Sequence, residues 1–199
     1  IRATFEFDLS ENATLKIIGD WSDFKSNNRT AKPLDDLSFA FLLNPAPQDG
    51  IDVTRNNLDT FFDWKTGGVT VDLQWDVSDT VTLSSISAFR TYESDFFFNT
   101  DGTEEEITRS TFIYETDQFS QELRLASTGL DGWSWLVGGF FLDEDKSGAL
   151  GLGRATHPSF GQVSFIIPND DTAESIAVFG QVTYDVSDAI TLSVGGRYP

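Results

Sequence analysis

The chain has 199 residues, with 32 acidic side chains against 13 basic ones and a formal net charge of −19. Because Lys and Arg make the phosphate contacts of nucleic-acid-binding proteins, this charge predicts no nucleic-acid partner. The absence of cysteine excludes disulfides, thiolate catalysis and thiolate metal sites. No apolar run approaches the ~18 residues of a membrane helix, so only a β-barrel could carry this sequence across a bilayer. No signal peptide is visible at the start, so we expect either a processed chain or an internal piece of a longer protein.

Alternating apolar and polar residues predict an all-β chain, and the helix signal is poor throughout. The alternation slips after Thr80, where Val81 and Leu83 share one parity and Ile86 and Ala88 share the other. Either a β-bulge near residues 84–85 or a different register explains this slip. The pattern predicts about eight strands, at residues 1–9, 13–24, 58–76, 81–96, 115–127, 133–145, 173–186 and 190–198.

A short motif occurs three times, at Phe7–Leu15, Trp75–Leu83 and Tyr184–Leu192, and reads aromatic-Asp-aliphatic-Ser-acid-x-x-Thr-Leu. Asp and Ser side chains bind nearby backbone amides, so each copy predicts a tight hairpin turn. A different turn, Thr128–Gly132, separates the second and third copies, and its two glycines can adopt positive φ.

Three long connections alternate with these short turns, at residues 25–57, 97–114 and 146–172. Short turns at one end and long loops at the other are typical of an outer-membrane barrel, antiparallel and up-and-down. Aromatic residues also cluster at the strand ends and predict two interfacial belts. Phe5, Phe7, Trp75, Trp133, Trp135 and Tyr184 would form the belt by the short turns, and Trp21, Phe24, Tyr92, Phe96 and Phe112 the other.

Several segments resemble the barrel of TonB-dependent outer-membrane receptors, a family that includes siderophore receptors. Phe119–Ser127 (FSQELRLAS) followed by Trp135–Phe141 (WLVGGFF) is similar to a mid-barrel hairpin of that family. Ala177–Asp188 (AVFGQVTYDVSD) followed by Leu192–Tyr198 (LSVGGRY) is similar to the next hairpin, and Leu83–Tyr92 to an earlier strand. The resemblance covers most of residues 68–199.

This resemblance implies a 22-stranded barrel that is plugged by an N-terminal domain and driven by an inner-membrane energy-coupling complex. The chain departs from that plan, because it has no plug domain, no coupling box and only about eight predicted strands. We therefore interpret residues 1–199 as an internal, partial barrel segment, with the plug domain and the remaining strands absent. An eight-stranded piece of a wide barrel would leave two unpaired edges, which a complete membrane protein would not tolerate.

The sequence predicts no enzyme, because it has no Ser/His/Asp set with recognisable spacing and no nucleophile elbow. One histidine is too few ligands for a metal site, so we expect neither a metal nor another cofactor. The acidic loop at residues 91–108 could hold a divalent cation, but a solvated acidic loop is the simpler interpretation. In a wide barrel, loop tips and lumen-facing polar residues meet the ligand, and the candidates for this contact are Arg90, Tyr92, Arg109, Arg124, Arg154 and His157.

These observations favour a transport function. The expected protein is an outer-membrane receptor of a Gram-negative bacterium that binds and imports a scarce solute, such as a ferric siderophore. Its expected partners are outer-membrane lipid, a small-molecule ligand and, through the absent plug, the TonB complex. The alternative is a small complete β-barrel or β-sandwich that acts as a binding or adhesion module with acidic surface loops.

Overall fold

The computed structural model describes residues 1–27, 58–100, 108–127, 130–157 and 161–199. They form one antiparallel sheet in which every strand pairs with its neighbours in sequence, in the order β1 to β8. The strands are β1 Arg2–Ser10, β2 Ala13–Ser26, β3 Phe61–Ser78, β4 Val81–Asn99, β5 Thr108–Ser127, β6 Trp133–His157, β7 Gly161–Ser187 and β8 Ile190–Tyr198. The predicted all-β, up-and-down architecture is confirmed. Within the described residues, no helix has the length and hydropathy needed to cross a membrane.

The three copies of the repeated motif form the same turn. In each copy the register shifts once, between the motif Asp and the motif Ser. The hydroxyl of Thr82 donates to Asp76 across the second turn at 2.6 Å, and that of Thr191 donates to Asp185 across the third at 2.7 Å. In the second and third copies the Asp therefore pairs with the Thr across the strands, where the sequence predicted a bond to a backbone amide. The bond predicted for Ser is present there, because the amides of Thr80 and Ala189 donate to the hydroxyls of Ser78 and Ser187 at 3.3 and 3.4 Å.

The fourth turn contains Gly132, which has a φ of +73°. This left-handed conformation is strained for residues with a Cβ, so glycine is the favoured residue there. Gly129 of the same turn lies outside the described residues.

Two of the three long connections are shorter than the sequence predicts. Residues 97–114 contribute the end of β4 and the beginning of β5, and residues 146–172 belong almost entirely to β6 and β7. β7 runs through Pro168, which lies opposite Ala149 of β6. Among the described residues, β8 pairs with β7 only from Val178 onward, so Pro168 has a paired strand on the β6 side alone. Most of the first connection, residues 28–57, lies outside the described residues.

The slip near residues 84–85 is not a bulge. The register is continuous through Ser84 and Ser85 on both sides of β4, against β3 and against β5. The side chains of Val81 and Ile86 therefore stay on opposite faces, and the face of each residue in the sheet follows from simple alternation.

The sheet is a single layer with both faces open. Among the described hydrophobic side chains only Ala177 is buried, whereas side chains such as Phe5, Leu123 and Val178 are half exposed or more. Strands β1 and β8 do not contact each other in the described residues, so the sheet does not close. A complete small barrel would be closed and a sandwich would have a second layer, so the described sheet fits neither form of the alternative.

One face carries an apolar band, and we call it the outer face because outer-membrane barrels turn apolar residues outward. On β3 the band runs from Val69 to Val77, and the register adds side chains such as Leu15, Phe89 and Val137. The predicted belt residues near the short turns all lie on this face. Of the predicted second belt, only Trp21 does. The prediction is wrong for Phe24, Tyr92, Phe96 and Phe112, which lie on the opposite, inner face.

The apolar band crosses the sheet obliquely. On β2 the upper border of the band lies at Trp21. Four strands away, on β6, the residue in the same register row as Trp21 is Asp145. The border on β6 lies at Phe141, four residues below that row. With strands about 4.8 Å apart and a rise of about 3.4 Å per residue, this drop corresponds to a strand tilt of about 35°. Transmembrane barrels have tilts of about 35–45°, so the band is level with a membrane when the strands are tilted as in a barrel.

Candidate functional site: the inner face

The lower part of the inner face, towards the short turns, is lined by polar side chains and ion pairs. Lys16 binds Glu6 at 3.0 Å, and Arg124 binds Glu122. Further up, Lys146 binds Glu144. Each pair joins residues of the inner-face parity, whereas Arg197 of the same face lies over the ring of Phe140, 5.4 Å from its centroid.

Arg90 and Asp20 form an ion pair that reaches across a whole strand. Asp20 lies on β2 and Arg90 on β4, and Gly68 of β3 stands between them in the register. Both terminal nitrogens of Arg90 donate to the carboxylate of Asp20, at 3.1 and 2.9 Å. A Cβ at Gly68 would lie 2.5 Å from the carbonyl oxygen of Phe89 and 3.0 Å from Cγ of Arg90, so the missing side chain leaves room for the guanidinium to cross.

Above this pair the inner face changes from polar to aromatic. Six rings form a continuous patch, which we call the aromatic shelf: Phe24, Phe62, Trp64, Phe96, Phe98 and Phe112. The rings of Phe24 and Trp64 stack with centroids 5.6 Å apart, and Phe96 stacks on Phe112 at 5.0 Å. Phe62 connects the two stacks, at 6.4 Å from Phe24 and 5.6 Å from Phe96. The shelf lies towards the long connections, where a barrel opens to its surroundings.

The predicted ligand-contact residues do not form one cluster. Arg90 and Tyr92 lie on the inner face below the shelf, and the ring of Tyr92 meets that of Tyr114 edge-on at 6.3 Å. Arg124 also lies on the inner face, but near the short turns. Arg109 lies on the outer face, where its side chain crosses Gly153.

Two further candidates have side chains outside the described residues. The backbone of Arg154 in β6 pairs with Thr108 and Val163, and that of His157 pairs with Gly161. Their contact with a ligand stays a prediction, as does that of the other four candidates.

The outer face carries an acidic belt above the apolar band. It includes Glu93 and Asp95 from the predicted acidic loop, and Asp143 and Asp145 of β6. The rest of that loop, residues 101–107, lies outside the described residues. Among the described side chains, no group of three or more His, Asp or Glu is arranged to hold a metal ion.

The family model described as TonB dependent receptor-like, beta-barrel, matches residues 3–199. The chain belongs to this family. The resemblance that the sequence indicated is therefore confirmed. TonB-dependent receptors are transporters of the Gram-negative outer membrane and not enzymes, which agrees with the prediction of no catalytic activity.

Solved structures of two receptors share the fold. The ferric yersiniabactin uptake receptor FyuA from Yersinia pestis matches with a TM-score of 0.72 and 13% identity, over 94% of this chain and 26% of that one. The siderophore receptor PiuA from Acinetobacter baumannii matches with a TM-score of 0.62 and 11% identity, over 98% of this chain and 37% of that one. At these identities the similarity establishes the fold alone. No curated protein matches the chain in sequence.

Proposed function

We propose that this chain is part of the barrel wall of an outer-membrane active-transport receptor. The longer receptor binds a scarce solute, such as a ferric siderophore, outside the cell and imports it with energy from the TonB system. Residues 1–199 supply a run of neighbouring strands, and the plug and the remaining strands come from other parts of the same protein. The match to the barrel family over residues 3–199 carries this proposal.

The two faces of the sheet support the membrane location. An exposed apolar band that runs obliquely over the strands, as it would in a tilted barrel, is costly in water and stabilising against lipid. The inner face combines matched ion pairs with an aromatic surface, which suits a passage for a bound solute better than it suits a packed core. The partners are therefore outer-membrane lipid on one face and a small-molecule ligand on the other.

Iron uptake in cells tests this function. A strain that carries the full-length gene takes up ⁵⁵Fe from one or more chelates of the hydroxamate, catecholate and carboxylate classes, and deletion of the gene removes that uptake. Deletion of the TonB gene removes the same uptake, because transport across the outer membrane depends on that energy source. Undiminished uptake without TonB, or a receptor recovered only in the soluble fraction, would refute the proposal.

A further inference from the structure

The apolar band of the outer face is interrupted at one place. On β1, β2 and β3 the outer-face side chains of the band are apolar or aromatic, but on β4 and β5 the band also contains two serines and a glutamine. We call these three residues the polar patch: Ser85, Ser87 and Gln121. The patch lies inside the band and not at its border, because the register pairs two phenylalanines above it and two leucines below it, Phe89 with Phe119 and Leu83 with Leu125.

The side chains of the polar patch hydrogen-bond to one another. The hydroxyl of Ser87 donates to Oε1 of Gln121. Nε2 of Gln121 donates to Oγ of Ser85 at 3.1 Å and to the backbone carbonyl oxygen of Glu122 at 3.2 Å, so both amide protons are used. The second lone pair of Oε1 and the hydroxyl proton of Ser85 remain, and no hydrogen bond joins either of them to another described residue.

Lipid cannot satisfy the groups that remain. Hydrocarbon offers neither donors nor acceptors, so a polar group that faces it lacks the partner that water would supply. Inside a bilayer, small and polar side chains drive the association of membrane proteins, because no hydrophobic force draws their apolar surfaces together. The patch has both properties, since its serines are small and its hydroxyls and amide are polar. These properties are those of a contact surface between proteins.

A second copy of the chain fits this surface. Two copies in one membrane have the same orientation, so a two-fold axis along the membrane normal brings the patch of one copy to the patch of the other at the same depth. The patch is uncharged and carries both a donor, the hydroxyl of Ser85, and an acceptor, Oε1 of Gln121, so each copy can donate to the other. Its shape is self-complementary too, because Leu123 is 50% exposed beside Ser85 and can meet the small serines of the second copy.

We infer that the polar patch is a self-association surface, through which two copies of the receptor form a dimer in the outer membrane. This inference rests on the proposed function, because only a membrane-embedded barrel turns this face to lipid. The contact lies on β4 and β5, where hydrogen bonds between the copies replace those that lipid cannot offer. Above the contact the two copies bring exposed carboxylates together, those of Glu115 and Asp117 among them. Salt screens this repulsion and therefore strengthens the dimer.

Sedimentation equilibrium of the purified full-length receptor in density-matched detergent measures the dissociation constant of the dimer. We expect Gln121→Leu and Ser87→Val each to raise this constant about tenfold. Gln118→Leu makes the same chemical change on the inner face of β5 and is expected to leave the constant unchanged. Because Gln121→Leu turns an apolar side chain towards lipid, it should not lower the stability of the monomer against urea, whereas loss of a purely structural glutamine would lower it.

Cross-linking tests the same contact in outer membranes. Residues 1–199 contain no cysteine, so a single introduced cysteine reports on one place at a time. With a short bis-maleimide reagent, we expect Leu123→Cys to give a cross-linked dimer above the wild-type background. Ile17→Cys faces lipid on β2, two strands away from β4, and is expected to give none above that background.

The outcomes separate the inference from the function on which it rests. A receptor that stays monomeric in both assays overturns the inference, and so does a dimer that Gln118→Leu weakens as much as Gln121→Leu does. A dimer that weakens when NaCl rises from about 20 to about 300 mM is held by charges, and also overturns it. TonB-dependent iron uptake by a monomeric receptor preserves the transport function, and absence of that uptake from cells carrying the wild-type gene refutes the function separately.

Discussion

An arginine at Leu73 tests the assignment of the two faces most directly. Leu73 lies in the middle of the apolar positions on β3, with Leu15 and Ser85 beside it in the register. An arginine at the middle of the lipid-facing band costs about 2–4 kcal/mol, and this cost falls to about 0–1 kcal/mol near the interface. We therefore expect Leu73→Arg to destabilise the full-length receptor by about 2–4 kcal/mol, and Val69→Arg, at the border of the band, to destabilise it much less.

Gln74 provides the matched control, because it is next in sequence and points to the opposite face. Gln74→Arg places the same charge on the polar inner face, where an exposed substitution changes stability by no more than about 0.5 kcal/mol. The assay is urea unfolding of the receptor in lipid vesicles, with the folded fraction read from its altered migration in unheated gel samples. Equal losses in Leu73→Arg and Gln74→Arg would show that the assignment of outer and inner faces is mistaken.

Two further predictions concern the contacts around β3. A Cβ at Gly67 would lie 2.5 Å from Cε3 of Trp21, so we expect Gly67→Val to destabilise the receptor by about 1–3 kcal/mol and to change tryptophan emission. Gly19→Val, whose Cβ would lie 4.0 Å from its nearest neighbour, should leave the emission of Trp21 unchanged, and an equal spectral change would contradict the explanation. The half-exposed pair of Asp20 and Arg90 is screened by solvent, so Asp20→Asn and Arg90→Gln should each reduce stability only slightly, by an amount that shrinks in high salt. The double variant should lose less stability than the two single variants lose in sum. If the two losses simply add at low salt, this would argue against direct pairing of Asp20 and Arg90.

The strands near the short turns could be predicted from the sequence because both signals there are local. Apolar residues alternate cleanly from Val69 to Trp75, and the repeated motif marks where each hairpin reverses. Both features arise from neighbouring residues in the chain, namely the pleat of the strand and the Asp–Thr pair of the turn. The predicted strand boundaries there differ from the observed ones by only a few residues.

The upper part of β6 and β7 could not be predicted in the same way. Residues 146–172 contain glycines, prolines and acidic residues, which are typical of loops. These residues form strands because β5 supplies hydrogen bonds to β6, and that pairing joins residues far apart in sequence, such as Thr108 and Arg154. Pro168 illustrates the point, since β7 continues through a proline that lies opposite Ala149 of β6.

The aromatic shelf was not predicted, because the sequence did not show on which face of the sheet each of its aromatic residues lies. Phe96 and Phe112 stand at strand ends and looked like belt residues, and the slip after Leu83 left the parity of β4 uncertain. With the register continuous, Phe96 shares its parity with Arg90 and therefore belongs to the inner face. Counting the alternation of side chains from Arg90 predicts the inner face for Phe96, but a bulge near residues 84–85 was the other explanation of the slip and left the face uncertain.

The sequential order of the strands has a consequence for how the protein assembles. In the part of the chain that the structure describes, each strand contacts only the strands before and after it, and three of the turns carry the same local motif. A hairpin can therefore form from nearby residues without waiting for distant parts of the chain, and short loops of this kind close quickly. Biogenesis of the wall can proceed by hairpin addition, with each new pair of strands templated by the edge of the preceding one.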